Sequence, residues 1–261
     1  MKQHLLIVSA LCSSALMFSP AAQADDIMYL LQSRAGMTES RVPTTIPYSY
    51  TMHVHLSQLD SDGHQTVQAE LRIDPSKPPG SRARLKKFKG LHREVLTEFL
   101  QQIENPERDM AALAGDFWCS SIHDNEEVDL STYTVVSETD TEAMLTPNPD
   151  KLAEMLLKTD YEDMDKSNRK MKEKLLDRIE GHIIVSQRNG GTKGFKVDMT
   201  RSATIKKIAK FKEMSLEQNC AVAPNGYRYK SNETSSLKGS ALFQGFSHNE
   251  DIRIYDLRPL P

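Results

Sequence analysis

The stretch from Tyr48 to Ile73 constrains the fold more than any other part of the chain. Tyr48, Tyr50, Met52, Val54 and Leu56 alternate with Ser49, Thr51, His53, His55 and Ser57. A period of two, carried by aromatic, apolar and β-branched residues, predicts a strand with one buried face. Asp62-Gly63 is hairpin-turn chemistry. Val67, Ala69, Leu71 and Ile73 then alternate on the return. No helix puts residues of this spacing on one side. This part of the chain is therefore read as an antiparallel hairpin whose apolar face needs a cover.

The same stretch carries polar groups that invite a different reading. His53 and His55 point the same way from a strand, which suits two metal ligands. A working site needs at least a third protein ligand, and nothing in the sequence supplies it. Asp60-Ser61-Asp62-Gly63 resembles the start of a calcium loop, but the twelfth residue from Asp60 is Leu71 where a bidentate Glu is required. No metal and no cofactor is expected. Gly-x-Ser-x-Gly, Walker, dinucleotide-binding and His-Glu-x-x-His motifs are missing. Cys119 with His123 could be a nucleophile and base, but a disulfide is the commoner fate of a cysteine in an exported chain.

Export is indicated by the N-terminus. Lys2, the apolar run Leu5–Phe18 and the small-residue site Ala22-Gln23-Ala24 read as a secretory signal peptide over residues 1–24. That run is shorter than the roughly 20 residues a membrane span needs. The expected product is a single domain over 25–261, with 25–45 an extended, partly mobile N-terminal segment. A periplasmic monomer of a Gram-negative envelope is the expected setting. Two of the three cysteines, Cys119 and Cys220, remain after cleavage, and an oxidising compartment favours a disulfide between them over two buried thiols. The net charge of −3 is not that of a nucleic-acid binder.

Further along, Leu91, Val95 and Phe99 with Leu96, Leu100 and Ile103 predict an amphipathic helix over 91–103. A short helix is expected over 107–114. A hairpin is expected to turn at Thr139-Asp140. Asn148-Pro149 reads as a cap and first turn of a helical stretch over about 151–179. Strands return after Gly181, with turns at Asn189-Gly190-Gly191, Pro224-Asn225-Gly226 and His248-Asn249. About eight strands segregated from the helices predict an α+β fold. The sheet is expected to be antiparallel, strongly curved and covered by the helices.

Three stretches carry a family resemblance: "YSYTMHVHLSQLDSDGHQTVQAELRIDP", "RIEGHIIVSQRNGG", and the closing segment from Lys207 to Leu257. Their layout resembles the LolA-like superfamily of periplasmic lipoprotein carriers, in an uncharacterised exported branch. The resemblance implies an open half-barrel with helices over its concave side and a cavity for acyl chains. The ligand-gripping arginine of the carriers has no aligned counterpart here.

The leading expectation is then a non-enzymatic protein that binds or carries a lipid, a lipoprotein acyl chain or another apolar ligand. Candidate lining residues are Tyr48, Tyr50, Met52, Val54, Val67, Leu71, Leu96, Phe99, Leu100, Ile183, Val185, Leu242 and Phe243. Arg82, Arg84, Lys86 and Lys87 are candidate contacts to lipid headgroups or the membrane surface. The alternative is an envelope protein-interaction or sensor module with a packed core, and a hydrolase is a third reading without a site. One prediction follows from the alternation alone. Replacing both His53 and His55 by Ala leaves the thermal melt and any ligand binding nearly unchanged, whereas Val54→Asp damages both.

Overall fold

A computed structural model describes residues 43–60, 63–90, 93–106, 110–119, 130–152, 176–187, 191–205, 209–241 and 244–261. The expected signal peptide, residues 25–42, His123, Leu242, Phe243 and the greater part of the 151–179 helical stretch lie outside them. The first hairpin forms as its pattern requires. Strand β1 (Tyr48–Asp60) pairs antiparallel with β2 (Gly63–Ile73) from Tyr50↔Ile73 to Asp60↔Gly63. Gly63 takes φ 109°, a conformation that favours glycine. Val54, Leu56, Val67, Ala69 and Leu71 are buried on one face, while His53 and His55 stand on the other.

The remaining strands are β3 (Ala83–Gly90), β4 (Tyr133–Glu138), β5 (Glu142–Pro147), β6 (Ile179–Ser186), β7 (Thr192–Met199), β8 (Ala203–Ile205), β9 (Ala209–Val222), β10 (Arg228–Ala241) and β11 (Gln244–Pro259). They form one eleven-stranded sheet in the order β3-β2-β1-β11-β10-β9-β7-β6-β5-β4, with β8 beside β9. All pairings are antiparallel. The chain begins mid-sheet, runs out to the β3 edge, crosses to the β4 edge, and returns strand by strand until β11 closes on β1. Helices α1 (Arg93–Glu104) and α2 (Met110–Phe117) lie in that crossing.

This overturns the expectation of an α+β fold covered by helices. Among the described residues the protein is mainly β: α1 sits against β2 and β3, and α2 against β10. Among the described residues, helices of 12 and 8 residues are too short to cover a sheet whose central strands are 14 and 16 residues long. The sheet is open, because β3 and β4 pair with nothing on their outer sides among the described residues. The expected turn at His248-Asn249 is a second correction. Both residues sit inside β11, where His248 pairs with Leu237 and Gln58. The β10–β11 pairing instead runs to Ala241↔Gln244. Half-exposed strands tolerate polar residues, so an Asn beside a His did not mark a loop.

Other expected signals form as read. Asn148 caps the helical residues 149–152, its side-chain oxygen accepting from the Lys151 amide at 2.8 Å. Gly181, Ile183 and Val185 share the buried face of β6. Cys119 and Cys220 form the disulfide, with Cα atoms 6.2 Å apart across 101 residues.

The main core lies under α1 and α2. Leu96 is fully buried in this core, and Phe99, Leu100 and Ile103 pack against it. Glu104, at the end of α1, ties the helix down. Its carboxylate accepts from the backbone amides of Gly80 and Ala83, both at 2.6 Å, and of Arg82 at 3.2 Å. A carboxylate at a helix C-terminus opposes the helix dipole, and three charge-assisted bonds more than offset that. Glu104→Ala is expected to lower stability in urea by about 2 kcal/mol, with Glu104→Gln recovering part of it. An unchanged midpoint would mean that water serves those amides equally well.

Candidate functional site

A cleft of about 270 Å³ opens where α1 and α2 stand off the sheet. Its floor is Tyr50 and Met52 of β1 with Ile252 and Ile254 of β11. Its helical wall is Phe99 and Ile103 of α1 with Leu113 and Phe117 of α2. Asp116, Lys230, Glu233 and Glu250 form a charged rim. Period two in β1 and β11 explains the floor, because Met52 pairs directly with Ile254 and Val54 with Ile252.

Two devices shape this end of the sheet. The first is a β-bulge opposite Tyr50. The β1–β11 register shifts by one residue between Ser49 and Thr51, and the extra residue in β11 accompanies Asp256 at φ 54°. Arg72 of β2 clamps the bulge. It donates to the Asp256 carbonyl at 2.9 Å, the Asp256 carboxylate at 2.9 Å, Thr51 at 3.1 Å and Ser49 Oγ at 2.8 Å. A hydrogen bond from Arg258 leads the interactions that hold the Asp256 carboxyl below its ordinary pKa, and Arg72 adds to it.

The second device is an aromatic cluster. Phe117 packs on Tyr50 at 4.9 Å, edge-on to Trp118 at 4.7 Å and stacked on Tyr229 at 5.6 Å. Trp118 is fully buried, bridges to Tyr229 as an isolated strand residue, and donates its indole N–H to the Thr45 carbonyl at 2.9 Å. The next residue, Cys119, is bonded to β9. Together these contacts fix the C-terminal end of α2, which is one wall of the cleft.

Of the expected lining residues, Tyr50, Met52 and Phe99 line the cleft. Tyr48, Val54, Val67, Leu71, Leu96 and Leu100 belong to the packed core beside it. Ile183 and Val185 lie on β6, beyond β11, β10, β9 and β7, and do not line it. Of the expected headgroup contacts, Arg82 is buried at 7% exposure and donates to the Lys77 carbonyl. Lys87 is paired with Glu70 at 3.0 Å. Arg84 and Lys86 are exposed on the edge strand β3, where charge also discourages edge-to-edge pairing.

No family model matches the chain, and no curated protein matches it. Two solved structures resemble it distantly. One is a crystal structure of MucB in complex with MucA(peri), 9% identical, covering 91% of this chain and 99% of that one at a TM-score of 0.18. The other is the Pseudomonas aeruginosa MucA/MucB complex, 10% identical, covering 92% and 100% at the same score. A likeness at that score carries no argument about fold or function. The resemblance to the LolA-like superfamily thus has no matching family model behind it.

None of the four rim residues and, of the helical wall, only Phe99 is among the lining residues expected from the sequence. Ile252 and Ile254 were visible as an alternating pair, but their pairing with β1, some 200 residues away, leaves no local trace. Glu250 was hidden by the expected turn at 248–249. Burial pushes its carboxyl above the ordinary range; His248, 4.0 Å away, pulls it back and Glu233 pushes it up. A raised folded-state pKa means that the native protein holds this proton more readily than the unfolded chain. The group adds stability below the unfolded pKa and loses it as pH rises through the folded one. Glu250→Gln is therefore expected to raise the melting temperature near neutral pH. The gap should close as pH falls to about 4. A lower melting temperature at neutral pH would show that the charge is already compensated.

Proposed function

We propose that this chain is an exported, non-enzymatic binding protein of the periplasm whose cleft receives an apolar anchor side chain from a protein partner. The sequence of the first 24 residues and the Cys119–Cys220 disulfide support export to an oxidising compartment. The size and wall chemistry of the cleft carry the binding reading. A cavity of about 150 Å³ takes a benzene-sized ring, so 270 Å³ suits one large side chain with a neighbour. Small-molecule sites run from about 300 to 1,000 Å³. An apolar centre inside a charged rim is also the arrangement of interface pockets that seat an anchor residue.

The acyl-chain reading uses the same floor but needs a longer trough. The residues that would extend it, Val54, Val67 and Leu71, are 0–1% exposed beneath α1. The packed hairpin core therefore favours a protein-interaction module over a lipid carrier.

Methyl NMR with defined probes separates the two. An uncharged pentapeptide with one central Phe is expected to give saturable shifts at Met52, Ile103, Leu113, Ile252 and Ile254. Lysophosphatidylglycerol below its micellar concentration is expected to give none. Tight 1:1 binding of the lysolipid would restore the carrier, and no response to the peptide would remove the cleft as an anchor site.

A further inference from the structure

We infer that the partner segment carries an arginine or lysine beside its apolar anchor, received by the carboxylates of Glu233 and Glu250. This rests on the reading of the cleft as an anchor pocket and adds the chemistry of what surrounds the anchor. The rim holds three carboxylates and one ammonium. Asp116 and Lys230 each already have an interaction partner. The other two acids are differently placed. Glu233 has neither a hydrogen bond nor an ion pair among the described residues, and Glu250 meets only His248, at the 4.0 Å limit of an ion pair.

The register puts both acids beside the floor. Glu233 of β10 pairs with Ile252 of β11, and Glu250 lies two residues before Ile252 on the same face. The Glu250 side chain is 24% exposed, whereas that of His248 is 43% exposed. A carboxylate stripped of water without a matching donor is costly. Its raised pKa agrees with that condition. A guanidinium or ammonium arriving with an apolar neighbour meets both needs at once, because the anchor fills the floor and the cation finds two acids. The same charges repel an acidic peptide or an anionic headgroup. Across an interface, charge of this kind selects the partner more than it adds raw affinity.

Three pentapeptides with the same central Phe, flanked by Arg, Ala or Glu, test this by calorimetry at low salt. The Arg-flanked peptide is expected to bind at least about tenfold more tightly than the Ala-flanked one, or about 1.4 kcal/mol, and the Glu-flanked one most weakly. In Glu233→Gln/Glu250→Gln the ratio of Arg-flanked to Ala-flanked affinity should collapse to within about twofold. If the double variant does not fold, Glu233→Gln alone should reduce the preference severalfold. An Arg preference that survives the substitutions, or none in the unmodified protein, overturns the inference while leaving the anchor pocket standing. Failure of all three peptides to bind overturns the pocket itself.

Discussion

The seating of Phe117 and Trp118 against the sheet is the contact on which the rest of the molecule depends. The sheet is long and open, and among the described residues α1 and α2 provide helical cover over β2, β3 and β10. A short helix of eight residues has little stability of its own. It stands here because its last residue packs into Tyr50 and Tyr229, and because Trp118 and Cys119 continue the grip onto β10 and β9. Trp118 also holds the incoming chain at Thr45, just before Ile46 enters the core. One pair of aromatic residues thus joins the start of β1, the end of α2 and the β9–β10 hairpin.

That anchorage explains why a cleft exists beside a well-packed core. Leu96 presses α1 onto the hairpin, and Glu104 pins its end to the turn before β3. Phe117 fixes the end of α2 farther along the sheet. Between these two fixed points the cleft opens beside Met52 and Ile254, which are buried in the core, and Ile252, which packs against it. The bulge and its Arg72 clamp lie on the same strands, so the floor at Tyr50 is set by backbone geometry as well as by packing. Strands β10 and β11 then bring charged side chains to the rim.

How much of this was readable in the sequence divides along the range of the interactions. Local patterns were sufficient for the β1–β2 hairpin, the stripe of α1, the Asn148 cap and the turn at Pro224-Asn225-Gly226, because each rests on residues a few positions apart. The disulfide followed from compartment and cysteine count. The balance of sheet and helix did not follow. The mixed faces of β9 and β10, rich in Ser, Lys and Glu, have no clean alternation, and their length comes from pairing with neighbours on both sides. The site suffered most. Its floor joins residues about 200 apart, its helical wall depends on a Trp without a local motif, and Glu250 directly follows His248-Asn249, whose composition reads as a turn although both lie inside β11.

An unfilled cleft between fixed walls can be tested without any ligand. Leu113 points into it from α2. Enlarging a side chain in a packed core costs about 1–3 kcal/mol, whereas the same change beside free space costs little. Urea unfolding of Leu113→Phe, with Val54→Phe as the packed comparison, measures the difference directly. The expected result is a midpoint for Leu113→Phe equal to or above that of the unmodified protein, and a clear fall for Val54→Phe. An equal fall in both would mean that the helices already rest on the sheet and that no preformed cleft exists.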